Sequence, residues 1–222
     1  MNAGITAIAG GRARRLVIWL RLAIVVAWTS ALYSLYVLTN HHHLFTPVTL
    51  PLTPIDRAIP FWSWTVVPYF GLIGGMYLPA FVQERALFIR ALVALTIAVL
   101  INYSIFALWP TVIVRPDLPQ GPAFYDAWYR WLTTIDSPAN CFPSGHITAP
   151  AVGCWALGRE HPRCRWWIRL AFVPFALTIL TTKQHYVWDL FGGLATAAIG
   201  VWLTRGMDDA PSDRADQGRN RK

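Results

Sequence analysis

Two short stretches of the chain bring together side chains that could do chemistry. In Thr181-Thr182-Lys183-Gln184-His185-Tyr186-Val187-Trp188-Asp189, His185 and Asp189 stand four apart, so on a helix they share a face. A carboxylate bonded to one imidazole nitrogen fixes the tautomer and leaves the other nitrogen aimed as a nucleophile; it also stabilises the cation that forms on attack. The second stretch, Phe142-Pro143-Ser144-Gly145-His146, immediately precedes an apolar run. A helix starting there presents unpaired amides and the positive end of its dipole, which attract an anion such as phosphate. Gly145 allows close approach of backbone to such a ligand, Ser144 adds a hydroxyl donor, and His146 can give a proton to a leaving oxygen. Arg115 and Lys183 are cations that could clamp phosphoryl oxygens, where the transition state spreads its charge. Alone, each motif has a plain reading: Pro-Ser-Gly is an ordinary turn, and His-x-x-x-Asp a common polar contact. Their meeting on one face argues for catalysis, and the elements that carry them decide whether they meet.

Those elements read as apolar helices. The 222 residues are 55% hydrophobic and 14% charged, with 12 tryptophans, too apolar for an ordinary soluble domain. A hydrocarbon core about 30 Å thick takes roughly 20 apolar residues per helix. Six segments approach that length: 16–38, 61–82, 86–109, 147–157, 166–181 and 186–203. The expectation is an all-α, polytopic membrane protein with six transmembrane helices. Segment 147–157 is short, and becomes long enough only if its helix starts near Pro143, which makes the Pro-Ser-Gly-His turn its first turn. Arginines precede the first segment as in a signal peptide, but the apolar stretch runs on to Leu38, so we read a retained span.

Charge orients the spans. The net charge of +8 could suggest nucleic acid, but that partner calls for a basic face interleaved with aromatics, and here the basic residues sit at the ends of apolar segments. The basic residues at 12–15, 85, 159–169 and 205–222 outnumber Arg57, Arg115, Arg130 and Lys183 on the opposite side. By the positive-inside rule both termini are cytoplasmic, and loops 39–60, 110–146 and 182–186 face outward from a cell inner (plasma) membrane. Both chemical stretches then lie at the same outer face. Arg21 and Arg90, near the cytoplasmic ends of their helices, are expected to snorkel. In the outer loop, Phe124, Trp128, Trp131 and Leu132 recur at helical spacing, as in a short interfacial helix. Trp62, Trp64, Trp109, Trp166, Trp167 and Trp202 fall near span ends, as an interfacial belt does. Gly71, Gly74, Gly75, Gly192 and Gly193 would let helices approach closely. Cys141, Cys154 and Cys164 show neither paired spacing nor CxxC, and His41-His42-His43 reads as a solvated loop, since nothing nearby completes a ligand set.

At these residues the chain resembles the type 2 phosphatidic acid phosphatase superfamily, integral-membrane phosphatases and phosphotransferases that share a helical core with soluble haloperoxidases. Arg115-Pro116 matches the end of the family's first motif, Pro143 to His146 the second, and His185 with Asp189 the end of the third. The resemblance covers about 86–204 as a catalytic core. It leaves 1–85 as an N-terminal pair of helices with an outer loop, and 205–222 as a polar tail, disordered by composition. It implies that His185 is the nucleophile of a phosphohistidine, Asp189 its orienting partner and His146 the acid to the leaving group. Ser144, Gly145, Arg115 and Lys183 would hold phosphate, with no metal and no cofactor. The family's first-motif lysine falls here on Leu108 and its third-motif Ser-Arg on Thr178-Ile179. The Thr182-Lys183 pair before Gln184-His185-Tyr186 is similar to the inositol phosphorylceramide and sphingomyelin synthase branch, which moves a headgroup between lipids.

The function expected is hydrolysis of a lipid phosphate ester at the outer membrane face, with the bilayer and a lipid phosphate as partners. Headgroup transfer is the alternative within the same chemistry. From another class, a small transporter is disfavoured because spans two, three and six carry no ionisable group centrally.

Overall fold

A computed structural model describes residues 2–41, 44–115 and 121–209. Pro116, His42, His43 and most of the tail lie outside the described residues, so the readings placed on them stay with the sequence. The fold is mainly helical: α1 (Asn2–His41), α2 (Pro54–Ala58), α3 (Val66–Gly74), α4 (Arg85–Leu108), α5 (Ala123–Ile135), α6 (Gly145–Glu160), α7 (Arg165–Thr181) and α8 (Val187–Leu203). Among the described residues, three helical stretches are long and apolar enough to cross a membrane, Arg14–Asn40, Arg85–Leu108 and Val187–Met207.

The structure departs from the sequence reading in several places. Segment 61–82 is not one α-helix. A 3-10 turn at Ser63–Thr65 leads into the short α3, and a second 3-10 stretch, Gly75–Phe81, follows it with Pro79 inside. Pro79 has no N–H to continue an α-helical ladder, which fits the change of winding. The fold is also not purely helical: β1 (Val48–Thr49) pairs in parallel with β2 (Thr111–Val112), fastening the segment after α1 to the segment after α4. Residues Arg205–Asp209, assigned to the tail, form a 3-10 turn. Arg21 and Arg90 do not snorkel. They are 8% and 5% exposed, Arg21 donating to the Val82 carbonyl and lying over the Phe88 ring, Arg90 lying over Trp155.

Helix α6 is the centre of the packing, contacting α3, α4, α7, α8 and the 3-10 stretch Gly75–Phe81. Its Ile147 joins Val66, Tyr69, Leu132 and Ile179 in one core cluster, and its Ala149 and Val152 join Ala94, Leu95 and Ala197 in another. Close van der Waals packing of these side chains holds the start of α6 in place. Helix α8 crosses that start closely enough that a Cβ on Gly193 would stand 2.5 Å from the Ser144 carbonyl oxygen. A side chain there would push the two helices apart. Of the five glycines expected at helix contacts, Gly74 alone has open space around its Cβ position. The six tryptophans expected near span ends are all 44–71% exposed.

Candidate active site

The end of α7 and the start of α8 place His185 and Asp189. Helix α7 stops in a Schellman motif: the Gln184 amide donates to the Ile179 carbonyl at 3.1 Å and the Lys183 amide to Leu180 at 3.3 Å. The residue that turns the chain is Lys183, at φ 54°, a left-handed conformation that glycine adopts without cost. The turn brings the chain straight into α8, where Asp189 occupies the N3 position and its Oδ2 accepts from the Tyr186 amide at 2.8 Å. The same oxygen lies 3.2 Å from His185 Nδ1. Asp189 is fully buried and His185 is 7% exposed, so the pair is held within the protein.

The turn from Asn140 places His146. Asn140 has φ 56°, and the Phe142–Pro143 peptide bond is cis. The Ser144 amide donates to the Asp189 carbonyl at 3.1 Å, tying the N-cap of α6 to the first turn of α8. Helix α6 therefore begins at Gly145, two residues later than Pro143. Ser144 is its N-cap by backbone, yet its hydroxyl is buried and makes no capping bond. Gly145 is exposed, and a Cβ on it would meet nothing within 4 Å. Among the described residues, none accepts from the Gly145 or His146 amides.

These two placements bring His146 Nδ1 to 3.3 Å from His185 Nε2. The same His146 nitrogen lies 3.0 Å from the Tyr69 hydroxyl, which donates to Asp136 Oδ2 at 3.2 Å. One proton assignment, inferred from the network, satisfies every contact. His185 Nδ1–H donates to Asp189, His146 Nδ1–H is shared between His185 Nε2 and the Tyr69 oxygen, and Tyr69 O–H donates to Asp136. The result is an imidazole, His185, whose Nε2 carries no proton and faces a donor.

The expected phosphate-holding residues divide. Arg115 donates to the Asp136 carbonyl at 2.7 Å and to Gln184 Oε1 at 2.6 Å; Gln184 Nε2 donates to the Tyr129 hydroxyl at 3.2 Å. Arg115 Nε is buried with no partner among the described residues. Lys183 points elsewhere, its ammonium donating to the Asp56 carbonyl at 3.0 Å and to that of Ile59. Burial lowers the Lys183 pKa, against the opposing pull of Asp56.

His185 separates two cavities. One, of about 140 Å³, runs between α1 and α4 and is bounded at the site by Gly145, His146, Gln184 and His185. The other, of about 450 Å³, lies between Asp56, Arg57, Lys183 and His185.

Sequence reasoning missed Tyr69, Asp136, Gln184 and Asp56. Asp136 follows a helix end in Ile135-Asp136-Ser137-Pro138, where an acid reads as a solvated turn residue. Asp56 left a signal: Thr53-Pro54-Ile55-Asp56 has capping-box spacing with Pro at the first helical position, and both bonds of the box are present. Its second role, accepting from the Val187 amide at 2.8 Å, reaches across the fold. No family model matches the chain, and neither a curated protein nor a solved structure matches it.

Proposed function

We propose that the chain is an integral-membrane phosphatase of the type 2 phosphatidic acid phosphatase kind, acting on a lipid phosphate ester. The observation that carries this is the linked pair His185–Asp189 and His146, set at the open N-terminus of α6. In this reading all six apolar segments cross the membrane, both termini are cytoplasmic and the site faces outward. The exposed tryptophans and α5 lie at the interface.

His185 Nε2 attacks phosphorus while Asp189 holds the Nδ1–H and stabilises the imidazolium. The P–O bond to the alcohol breaks, and His146 supplies the proton that the leaving oxygen takes up. Water, deprotonated by the now neutral His146, then attacks the phosphohistidine, releasing phosphate and restoring both rings. The Gly145 and His146 amides, with the α6 dipole, face the phosphoryl oxygens. Arg115 acts from behind Gln184.

The test is phosphate release from lipid phosphates in the presence of a chelator, combined with labelling by a ³²P substrate. Wild type is expected to release phosphate and to trap an acid-labile, base-stable label, and His185→Ala to do neither. Release that persists in purified His185→Ala protein sinks the assignment of the nucleophile.

A second reading, headgroup transfer, is favoured by one observation: the cavity beside Lys183 and Arg57 gives His185 a second side from which an alcohol could approach. Label that appears only in a new lipid, never as free phosphate, selects it.

A further inference from the structure

The cavity between α1 and α4 changes character along its length. At the site it is bounded by polar or open groups, Asp136, Gln184 and Gly145; at its far end it is bounded by Trp28, Leu95 and Val99. From Phe106, level with Tyr36 and hence Asp136, to Leu95 it follows eleven residues of α4, about 16 Å at 1.5 Å per residue. That is about half of a hydrocarbon core. A polar head with an apolar extension of fixed direction is the outline of an amphiphile.

Its size is restrictive. About 140 Å³ is close to the roughly 150 Å³ of an apolar cavity that holds one benzene, enough for a stretch of a single chain and too narrow for two side by side. Its walls belong to two of the three helices long and apolar enough to cross a membrane. At α1 the lining reaches the surface at Tyr33, which is 56% exposed.

We propose that this cavity receives one hydrocarbon chain of the substrate, so that single-chain phosphate esters are preferred over two-chain ones and α1 forms a wall of the chain site. The inference rests on the phosphatase reading above and gives α1 a role that the catalytic core does not require of it. The chain leaves the phosphate at Gly145 and runs inward between α1 and α4, past Asn102 and Tyr103 to the mainly apolar end at Trp28, Leu95 and Val99.

Two measurements on the full chain in detergent micelles test it. In the first, a dodecyl phosphonate with a photoactivatable diazirine in its chain, which cannot be hydrolysed, is crosslinked and the adducts mapped. Adducts in 28–36 and 95–106 are expected. Adducts confined to the larger apolar cavities, beside Gly75, Pro150 and Phe172 or beside Leu100, Leu108 and Phe142, overturn the proposal. In the second, kcat/KM for dodecyl phosphate is compared with a two-chain phosphatidate and with butyl phosphate. Wild type should favour the dodecyl ester over the two-chain lipid by about tenfold or more. Val99→Phe and Leu32→Phe, which narrow the cavity from opposite walls, should each lower the dodecyl-to-butyl ratio about tenfold. Ratios unchanged in variants that melt as wild type does overturn it. If no ester releases phosphate yet the crosslinks map to α1 and α4, the phosphatase reading fails and the chain site stands.

Discussion

His146 Nδ1 lies 3.3 Å from His185 Nε2, which joins the rings and leaves no room between them for a phosphoryl group. In-line transfer sets phosphorus between the attacking and leaving atoms, and a proton donor must then sit about 2.6–3.2 Å from the leaving oxygen. If the proposed transfer takes place here, the two nitrogens part when substrate binds and the hydrogen bond between them breaks. His146 is the ring better placed to move. His185 is clamped by a buried carboxylate, whereas His146 is half-buried, leans on a hydroxyl and borders the open space at Gly145.

The carboxylate that holds His185 also holds the start of α8. Asp189→Asn keeps the shape but loses the acceptor that fixes the tautomer, and phosphate release should fall about 10³–10⁴-fold. Circular dichroism and the melting transition should show whether the fold persists; a folded variant with near-normal turnover contradicts the orienting role.

If His146 gives a proton to the leaving group, its loss should matter most where the leaving oxygen is basic. His146→Ala should slow alkyl phosphate hydrolysis about 10²–10⁴-fold and nitrophenyl phosphate hydrolysis far less. Tyr69→Phe should show the same leaving-group dependence more weakly, because Tyr69 acts by positioning His146. Equal losses on both esters would point to binding in place of acid catalysis.

Gly145 is exposed at the first position of α6, and nothing lies within 4 Å of where its Cβ would be. Gly145→Ala should leave stability equal or raise it by up to about 1 kcal/mol, because alanine loses less conformational freedom in a helix. The same methyl enters the space assigned to phosphate, so KM should rise. A stabilised protein with unaltered KM would place the phosphate elsewhere.

Lys183 combines a left-handed backbone with a working ammonium. Lys183→Gly relieves a conformational cost of about 1 kcal/mol that Lys183→Ala retains. Both lose the bonds to the Asp56 and Ile59 carbonyls, so unfolding should show the glycine variant more stable by about that amount. Equal stabilities would refute the backbone account.

The same lysine has a pH signature. Its folded pKa is lowered by burial, so between that value and the ordinary lysine value of about 10.4 the unfolded state binds more protons. This group's contribution to stability therefore rises with pH through that window. Lys183→Met lacks the titration and should lose ground against wild type as pH rises there; a constant difference would show that burial does not govern this amine.

The sequence by itself located most of the long helices and the local half of the candidate site. Long apolar runs state where helices form, because burial of one continuous stretch needs only neighbours in the chain. His185 and Asp189 are paired by helical spacing, and Pro-Ser-Gly-His marks the start of α6 to within two residues through local turn chemistry. Tertiary structure decided the rest. His146 and His185 are 39 residues apart, and they meet because Ser144 bonds Asp189 and Gly193 admits α6 against α8. Asp136 becomes part of the site through Tyr69 and Tyr36, and Arg115 through Gln184 and the Asp136 carbonyl. The burial of Arg21 and Arg90 and the narrow cavity beside α1 likewise depend on how helices fit side by side. Spacing along one helix fixes which side chains share a face, but which faces meet depends on the shapes of two packed surfaces, and no single stretch of sequence carries both.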